Sequence, residues 1–240
     1  SLANKVQAKI PTTEEDFSSF ESMLQEQSHN IAGAIIEPIL QGAGGMKMHS
    51  PENIKRLWKL LKQYNILIIA DECATGFCRL GSKFAFHKIG IEPDILILGK
   101  ALTAGYVPFA ATVAKEFIFQ AICKKSRFLH GPTFAGNPLA SAAGIASLEL
   151  FEIQNYNVLE IEEFFKTEFK HHNARIMGAV CAFDIEKNTN IQIKKDVAEG
   201  KTKAFLRPFG NTLYTMPPFV ASKEELKIIA DEIKRYISSF

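Results

Sequence analysis

The sequence lacks the features that would place it in several specialised classes. The 240 residues carry a formal net charge of only +2, so no charge excess indicates nucleic acid or another polyanion as a partner. No apolar run approaches the ~20 residues that a membrane span requires, and the opening residues have no signal-peptide core. The cytoplasm is therefore the expected location, with no membrane partner.

Cysteine is scarce and scattered. The four cysteines, at positions 73, 78, 123 and 181, form no C-x-x-C pair and no Cys/His cluster of zinc-ligand spacing. This pattern favours free thiols in a reducing compartment. We therefore expect neither a disulfide nor a metal site.

The sequence does contain alternating amphipathic helices and apolar strands. A capping box of Thr12 and Glu15 predicts the first helix, and Ser50 followed by Pro51 predicts the second. Continuous apolar strands, "IAGAIIEPI", "ILIIA" and "PDILILG", lie between the helical segments. Such strands indicate a mostly parallel sheet that is covered on both faces. The predicted fold class is α/β.

The composition changes after about residue 150. Residues 153–203 are more polar and have a weaker helical or strand periodicity, and the chain then closes on an amphipathic helix. We therefore expect residues 1–150 to belong to a large domain and residues 151–240 to form a smaller domain. The missing initiator Met, and a helix as the first recognisable element, indicate a piece of a longer chain.

Charged side chains follow the apolar strands at the points where the strands end. Asp71 and Glu72 follow "ILIIA", Lys100 follows "PDILILG", and Glu37 follows the first strand. Ligands of open parallel sheets bind in the crevice beyond the carboxyl ends of the strands, so these residues predict a site. The alternative is that Asp71 merely caps its loop. The presence of Lys100 at a second strand end favours a site.

The chemistry of this Asp and Lys pair narrows the choice of site. A P-loop ATPase is excluded, because its motif needs Gly and Ser or Thr where the sequence has Asp94 and Ala101. Pyridoxal 5'-phosphate (PLP) needs a lysine amine to hold its aldehyde and a carboxylate to keep its pyridine nitrogen protonated. Lys100 and Asp71 are suited to these two roles, so PLP is the predicted cofactor.

Five motifs in a fixed order carry a resemblance to a known family. They are "EPILQGAGGM", "IADECATGFCRLG", "PDILILGKALTAGYVP", "HGPTFAGNPLA" and "LRPFGNTLYTMPP". Together they resemble the class III aminotransferases, which are fold-type I PLP-dependent transferases. The resemblance runs from residue 10 to the end and is weakest over residues 153–203. It implies a mostly parallel sheet flanked by helices in part of the PLP-binding domain, and a smaller carboxyl-terminal α/β domain.

The resemblance also implies roles for residues at the strand ends. Lys100 is expected to be the catalytic lysine, which binds the cofactor and meets the substrate, and Asp71 the partner of the pyridine nitrogen. Glu37 matches a structural acid near the site. Cys73 is expected on the same face of the strand as Asp71, against the cofactor ring, where the family usually has Val or Ile. As an alternative, Cys73 is simply a small buried hydrophobic residue.

Further roles fall on two later motifs. Thr133 matches a threonine that binds the cofactor phosphate across a dimer interface, so the resemblance implies a homodimer with a shared active site. Gly131 shapes the same turn and is expected to contact the substrate. Arg207 matches an arginine that holds a substrate carboxylate, for which a guanidinium fork is suited. The family's amino-terminal portion, with further cofactor contacts, is absent from these residues, which are therefore expected to form an incomplete site.

The motifs also favour one branch of the family. Pro132 in "HGPTF", together with "RPFGNTLYTMPP", resembles the branch that acts in biotin biosynthesis. This implies conversion of 8-amino-7-oxononanoate to 7,8-diaminononanoate with S-adenosylmethionine as the amino donor. Two alternatives stay open: an ornithine-type or 4-aminobutyrate-type aminotransferase, and a catalytically idle scaffold. The presence of both Asp71 and Lys100 argues against the idle scaffold.

Overall fold

The computed structural model describes residues 5–125, 128–153 and 156–237. Its α-helices, in chain order, are α1 (Glu14–Gln27), α2 (Pro51–Gln63), α3 (Ala85–Ile89), α4 (Glu116–Lys125), α5 (Pro138–Ile153), α6 (Val158–Glu168), α7 (Lys187–Ala198) and α8 (Lys223–Ile237). Its strands are β1 (Gly33–Ile36), β2 (Leu40–Gln41), β3 (Lys47–Met48), β4 (Leu67–Asp71), β5 (Ile95–Leu98), β6 (Ala111–Ala114), β7 (Arg175–Met177), β8 (Val180–Asp184) and β9 (Thr212–Thr215). Within these described ranges, no helix has the length and apolarity needed to cross a membrane.

A four-stranded sheet in the order β1-β4-β5-β6 forms the centre of the larger part. β1 pairs parallel with β4, and β4 pairs parallel with β5, whereas β6 is antiparallel to β5. The predicted α/β fold with a mostly parallel sheet is therefore confirmed. Because β1, β4 and β5 run in the same direction, their carboxyl ends lie at one edge of the sheet.

Helix α2 forms where the sequence predicts it and covers one face of this sheet. Ser50 is extended and its hydroxyl accepts the Asn53 N–H at 3.1 Å, while Pro51 occupies the first turn. Ile68 and Ala70 of β4 are fully buried on this face. They share a core with the buried residues of α2, which are Ile54, Leu57, Trp58, Leu60 and Leu61.

The opposite face of the sheet is less covered than the sequence predicts. Ile35 lies beside Ile69 in the parallel register, on the face away from Ile68, and its side chain is 64% exposed. In the part of the chain that the structure describes, the sheet is flanked by helices, and this position of its edge strand β1 stays exposed.

The capping box of α1 lies one residue later than predicted. Thr13 is the extended N-cap residue, and its hydroxyl accepts the Asp16 N–H at 3.1 Å. The Asp16 carboxylate in turn accepts the N–H groups of Thr13 at 3.1 Å and Thr12 at 2.9 Å. Thr12 and Glu15 fit the same pattern in sequence, but the acid at Asp16 reaches back to two backbone donors.

A second sheet, β7-β8-β9, is antiparallel and contributes to two cores. Alternate residues of β8 point to opposite faces. Val180 and Ala182 pack into the core that contains α2 and β4, whereas Cys181 and Phe183 pack with buried residues of α6, α7 and α8. This sheet therefore lies between the main sheet and the carboxyl-terminal helices. The division of the chain near residue 151 stays a prediction.

Three of the four cysteines lie among the residues whose side chains are described. Cys73, Cys78 and Cys181 are free thiols. The side chain of Cys123 lies outside the described part of the structure.

Candidate active site

The two adjacent carboxylates at the end of β4 have different surroundings. Glu72 is fully buried, and its carboxylate accepts the N–H groups of Ala85 at 3.0 Å and Phe86 at 2.9 Å, together with the Thr75 hydroxyl. Burial raises the pKa of Glu72, although these three donors oppose the shift. Glu72 therefore holds the start of α3 and is not open to a ligand. The sequence places an acid here but does not reveal this structural role.

Asp71 is the last residue of β4 and is half-buried. Its Oδ1 accepts the backbone N–H of Cys73 at 3.0 Å, and the Cys73 thiol also hydrogen-bonds to this carboxylate. In the parallel register Asp71 lies opposite Ile97 of β5. The carboxylate is therefore fixed at the edge of the sheet where the strands end.

Lys100 lies just beyond the end of β5. The strand ends at Leu98, Gly99 is extended, and Lys100 begins a short 3-10 helix with a left-handed φ of 44°. Few residues with a side chain adopt this conformation, and such positions are common at functional sites. The Lys100 side chain is exposed, and no described residue makes a hydrogen bond or ion pair with it. Its amine is therefore free to react.

Cys73 lies in the turn after β4, so the expectation that it shares a strand face with Asp71 is wrong: the strand has ended before it. Burial, followed by a hydrogen bond to Asp71, raises the pKa of the Cys73 thiol to about 11, while the charge of Lys100 opposes the shift. A Cβ atom added at Gly99 would lie 3.2 Å from the Cys73 sulfur. Cys73 therefore packs between the Asp71 and Lys100 segments as a protonated thiol.

A cavity of about 620 Å³ opens beside Lys100 and Cys73. Its opposite wall is formed by aromatic side chains in mutual contact: the rings of Phe151 and Tyr156 are 5.4 Å apart, and those of Tyr156 and Phe219 are 5.3 Å apart. The cavity therefore joins the end of the main sheet to residues of the carboxyl-terminal part.

Arg79 connects the two walls of this cavity. Its guanidinium donates to the carbonyls of Pro217 at 2.8 Å and Ala179 at 3.4 Å, and it lies 4.3 Å from the centre of the Phe219 ring. Burial lowers the pKa of Arg79 to about 10. These contacts hold the loop after β4 against the carboxyl-terminal part.

The other predicted site residues lie at the surface. Gly131 and Thr133 belong to the exposed segment 128–136, where the Ala135 N–H donates to the Pro132 carbonyl at 2.9 Å. Arg207 is exposed on the segment before β9. Within the described residues, none of Gly131, Thr133 and Arg207 lines the cavity beside Lys100. The chain thus brings Asp71, Cys73 and Lys100 together, and the roles of the three surface residues stay predictions.

Comparison with known proteins gives one consistent family. Residues 3–237 match the sequence model of the class-III aminotransferases. The chain is 36% identical over 236 residues to the adenosylmethionine-8-amino-7-oxononanoate aminotransferase of Buchnera aphidicola from Acyrthosiphon pisum, covering 93% of this chain and 55% of that protein. It is 34% identical to the protein of the same name from Mycobacterium leprae, covering 87% of this chain and 50% of that one. The chain spans about half the length of the curated relatives it matches.

Solved structures agree with this family. The ornithine aminotransferase of Toxoplasma gondii ME49 superposes with a TM-score of 0.79 at 26% identity, over 95% of this chain and 56% of that one. A second structure of the Toxoplasma gondii enzyme is described with partial occupancy of PLP at its active site. An aminotransferase of Bacillus anthracis gives a TM-score of 0.83 at 25% identity, over 94% of this chain and 56% of that one.

Proposed function

Since the chain belongs to the class III aminotransferases, we propose that it supplies the Lys100 and Asp71 part of a PLP-dependent aminotransferase site. The observation that carries the proposal is the placement of these two residues. Lys100 lies beyond the end of β5, next to a cavity of about 620 Å³, and Asp71 ends the neighbouring parallel strand β4, with Cys73 packed between the two segments.

The residues fit the chemical needs of PLP. The Lys100 amine is free to hold the cofactor aldehyde, and the Asp71 carboxylate can accept a hydrogen bond from a protonated pyridine nitrogen. When bound, PLP supplies an electron sink that weakens a C–H bond next to the substrate nitrogen. The Cys73 N–H keeps Asp71 in one orientation, so little reorganisation is needed when the cofactor binds.

The same residues account for proton transfer. With the cofactor bound, the Lys100 Nζ would be the base that takes the proton from the donor carbon. The left-handed start of the 3-10 helix fixes where this side chain leaves the backbone. Arg79 and the aromatic wall limit the access of water to the cavity in which the lysine works.

The proposed substrates are those of the biotin pathway. The relatives from Buchnera aphidicola and Mycobacterium leprae are named for adenosylmethionine and 8-amino-7-oxononanoate, and we propose the same donor and acceptor for this protein. Arg207 would hold a carboxylate of the substrate. An ornithine-type activity is the second candidate, supported by the likeness to the Toxoplasma gondii enzyme at 26% identity. The higher identity to the biotin-pathway relatives favours the first.

We also propose a homodimer in which Thr133 contacts the cofactor phosphate of the partner subunit. The turn with Thr133 precedes α5, whose first N–H groups are capped by Asn137 at 2.9 and 3.2 Å, and such a helix start favours an anion. Large apolar side chains around the turn are exposed and would be buried by a second copy: Phe128, Leu129, Phe134 and Leu139. The cytoplasm is the proposed compartment, supported by the free thiols.

Replacement of Lys100 tests this function. In the full-length protein, Lys100→Ala should abolish the covalent attachment of PLP that borohydride reduction makes permanent, because the amine that bonds to the aldehyde is lost. Lys115→Ala is the matched control, since Lys115 follows β6 and pairs with Asp94 at 3.3 Å. A Lys100→Ala protein that still retains PLP covalently after borohydride reduction would falsify the assignment.

The donor and acceptor need a separate assay. The full-length protein should transfer an amino group from S-adenosylmethionine to 8-amino-7-oxononanoate, and ornithine should support little transfer. Faster transfer from ornithine would replace the biotin-pathway proposal with the ornithine-type one.

A further inference from the structure

The tip of the β2-β3 hairpin has a backbone conformation that needs outside support. Gly45 has a φ of 94° and Met46 a φ of 52°, so two consecutive residues are left-handed. Met46 has a side chain, and the left-handed conformation is unfavourable for it. Within the hairpin, the N–H groups of both residues point back to the Gly42 carbonyl, at 3.3 and 3.1 Å. Their own carbonyls are left to partners outside the hairpin.

Two side chains hold this tip, one close to it in the sequence and one far from it. On one side, the Glu37 carboxylate accepts the Gly42 N–H at 2.9 Å. On the other, the Arg175 guanidinium donates to the carbonyls of Met46 at 3.0 Å and Gly45 at 3.2 Å. The hairpin therefore connects a strand-end acid close to the candidate site with the sheet β7-β8-β9.

Arg175 is itself held in place. Its guanidinium makes two hydrogen bonds to the Asp184 carboxylate, at 2.7 and 2.8 Å, and these bonds lower the pKa of Asp184. The Nε and both terminal nitrogens of the planar Arg175 guanidinium therefore all donate hydrogen bonds. A lysine offers a single point of charge and cannot reproduce the four contacts. The geometry therefore depends on arginine at this position.

The same hairpin tip reaches the segment that contains Arg207. The Thr212 hydroxyl donates to the Gly45 carbonyl at 3.4 Å, and Thr212 lies opposite Asp184 in the sheet register. Thr212 and Phe209 exchange two backbone hydrogen bonds, at 2.8 and 2.9 Å, which close the turn just after Arg207. Movement of the tip would therefore be passed to the backbone beside Arg207.

We propose that Arg175 is a positioning residue for the substrate-carboxylate site. By fixing the carbonyls of Gly45 and Met46, it sets the position of the turn after Arg207 relative to Glu37 and the strand ends. This inference rests on the proposed role of Arg207. It assigns Arg175 no contact with substrate or cofactor.

The variants Arg175→Lys and Asp184→Asn test the proposal in the full-length protein. Each should raise the KM of the carboxylate substrate about tenfold and leave kcat within about twofold, as expected when a ground-state contact is displaced. Hydrogen exchange of the backbone amides in residues 42–46 should also become faster, because the tip loses its support. Asp184→Asn retains the arginine but removes the charge that holds its guanidinium, so it serves as the milder variant if Arg175→Lys folds poorly.

Arg56→Lys is the matched control. Arg56 also makes two hydrogen bonds to one carboxylate, that of Glu14, but it joins α1 to α2 and contacts no hairpin carbonyl. Its KM and its exchange over residues 42–46 should equal those of the wild type. The inference is overturned if Arg175→Lys and Asp184→Asn behave like Arg56→Lys.

A fourth variant separates this inference from the proposed function. Arg207→Ala should raise the same KM more than Arg175→Lys does, because it removes the carboxylate partner itself. If Arg207→Ala raises KM and the Arg175 and Asp184 variants do not, the positioning role alone is wrong. If Arg207→Ala leaves KM unchanged, the carboxylate site is wrong and the inference falls with it.

Discussion

The end of β4 and the segment 128–136 contain proposed site residues in opposite environments. At the end of β4, Asp71 and Glu72 accept hydrogen bonds from within the chain, and Glu72 is fully buried. In the later segment, Thr133 is exposed and its neighbour Leu129 is 92% exposed. The contrast indicates that this chain preorganises the Asp71 part of the proposed site. The proposed role of Thr133 depends on contacts outside the chain.

The largest effect should follow from loss of the buried carboxylate. Glu72→Ala would leave the N–H groups of Ala85 and Phe86 without an acceptor in a buried place. Each such group costs ~1 to 3 kcal/mol, so we expect a loss of ~2 to 6 kcal/mol in the free energy of unfolding. The measurement is the urea midpoint of the full-length protein, with the slope compared between variants.

Glu163→Ala provides the control for Glu72→Ala. Glu163 is an exposed acid on α6 that pairs with Lys166, and such surface pairs contribute little to stability. Equal urea midpoints for the two variants would mean that the end of β4 is no better ordered than the surface, and the comparison would lose its basis.

The sequence predicts the elements whose signals are local. Ser50 and Pro51 begin α2 as expected, and Asn137 caps α5, because each signal involves residues within one helical turn. The ends of the parallel strands likewise place Asp71 near Lys100. Sequence reasoning chose Thr12 instead of Thr13 as the first cap, because two overlapping patterns fit equally well.

Contacts between distant residues could not be predicted in this way. Arg175 reaches Gly45 across 130 positions, and Arg79 reaches Pro217 across 138, so no periodicity or spacing links them. The sequence also could not tell which of two adjacent acids is buried, because strand residues alternate between faces only until the strand ends. Lys100 in a left-handed conformation is another such case: the surrounding structure imposes it.

Asp71→Asn should have the next largest effect. The substitution keeps the shape and the hydrogen bond from Cys73 but removes the charge that would keep the pyridine nitrogen protonated. We expect turnover to fall by at least ~100-fold, as for loss of one preorganised electrostatic partner. The measurement is kcat of the full-length protein with saturating PLP. The control is Asp231→Asn, because Asp231 is exposed and pairs only at the surface with Lys227. Asp94→Asn is unsuitable, because Asp94 accepts the Ile68 N–H at 2.9 Å.

Near-normal turnover of Asp71→Asn would mean that the ordered end of β4 has no catalytic role. Asp71 would then be a strand-end acid that orders its own turn through Cys73, as Glu72 orders α3. Unchanged stability together with the ~100-fold loss would support the proposed role, because a purely structural acid should affect folding first.

Thr133→Ala should have the smallest effect, and it tests the role of the exposed segment 128–136. Loss of one hydroxyl donor to a phosphate should weaken PLP binding about tenfold, and Thr112→Ala on exposed β6 should not change it. A hybrid dimer with Lys100→Ala in one subunit and Thr133→Ala in the other can locate the contact. If Thr133 acts on the partner, both changes fall in one site and the other site binds PLP with normal affinity. If Thr133 acts within its own subunit, the remaining Lys100 site binds PLP about tenfold more weakly, and the shared site is wrong.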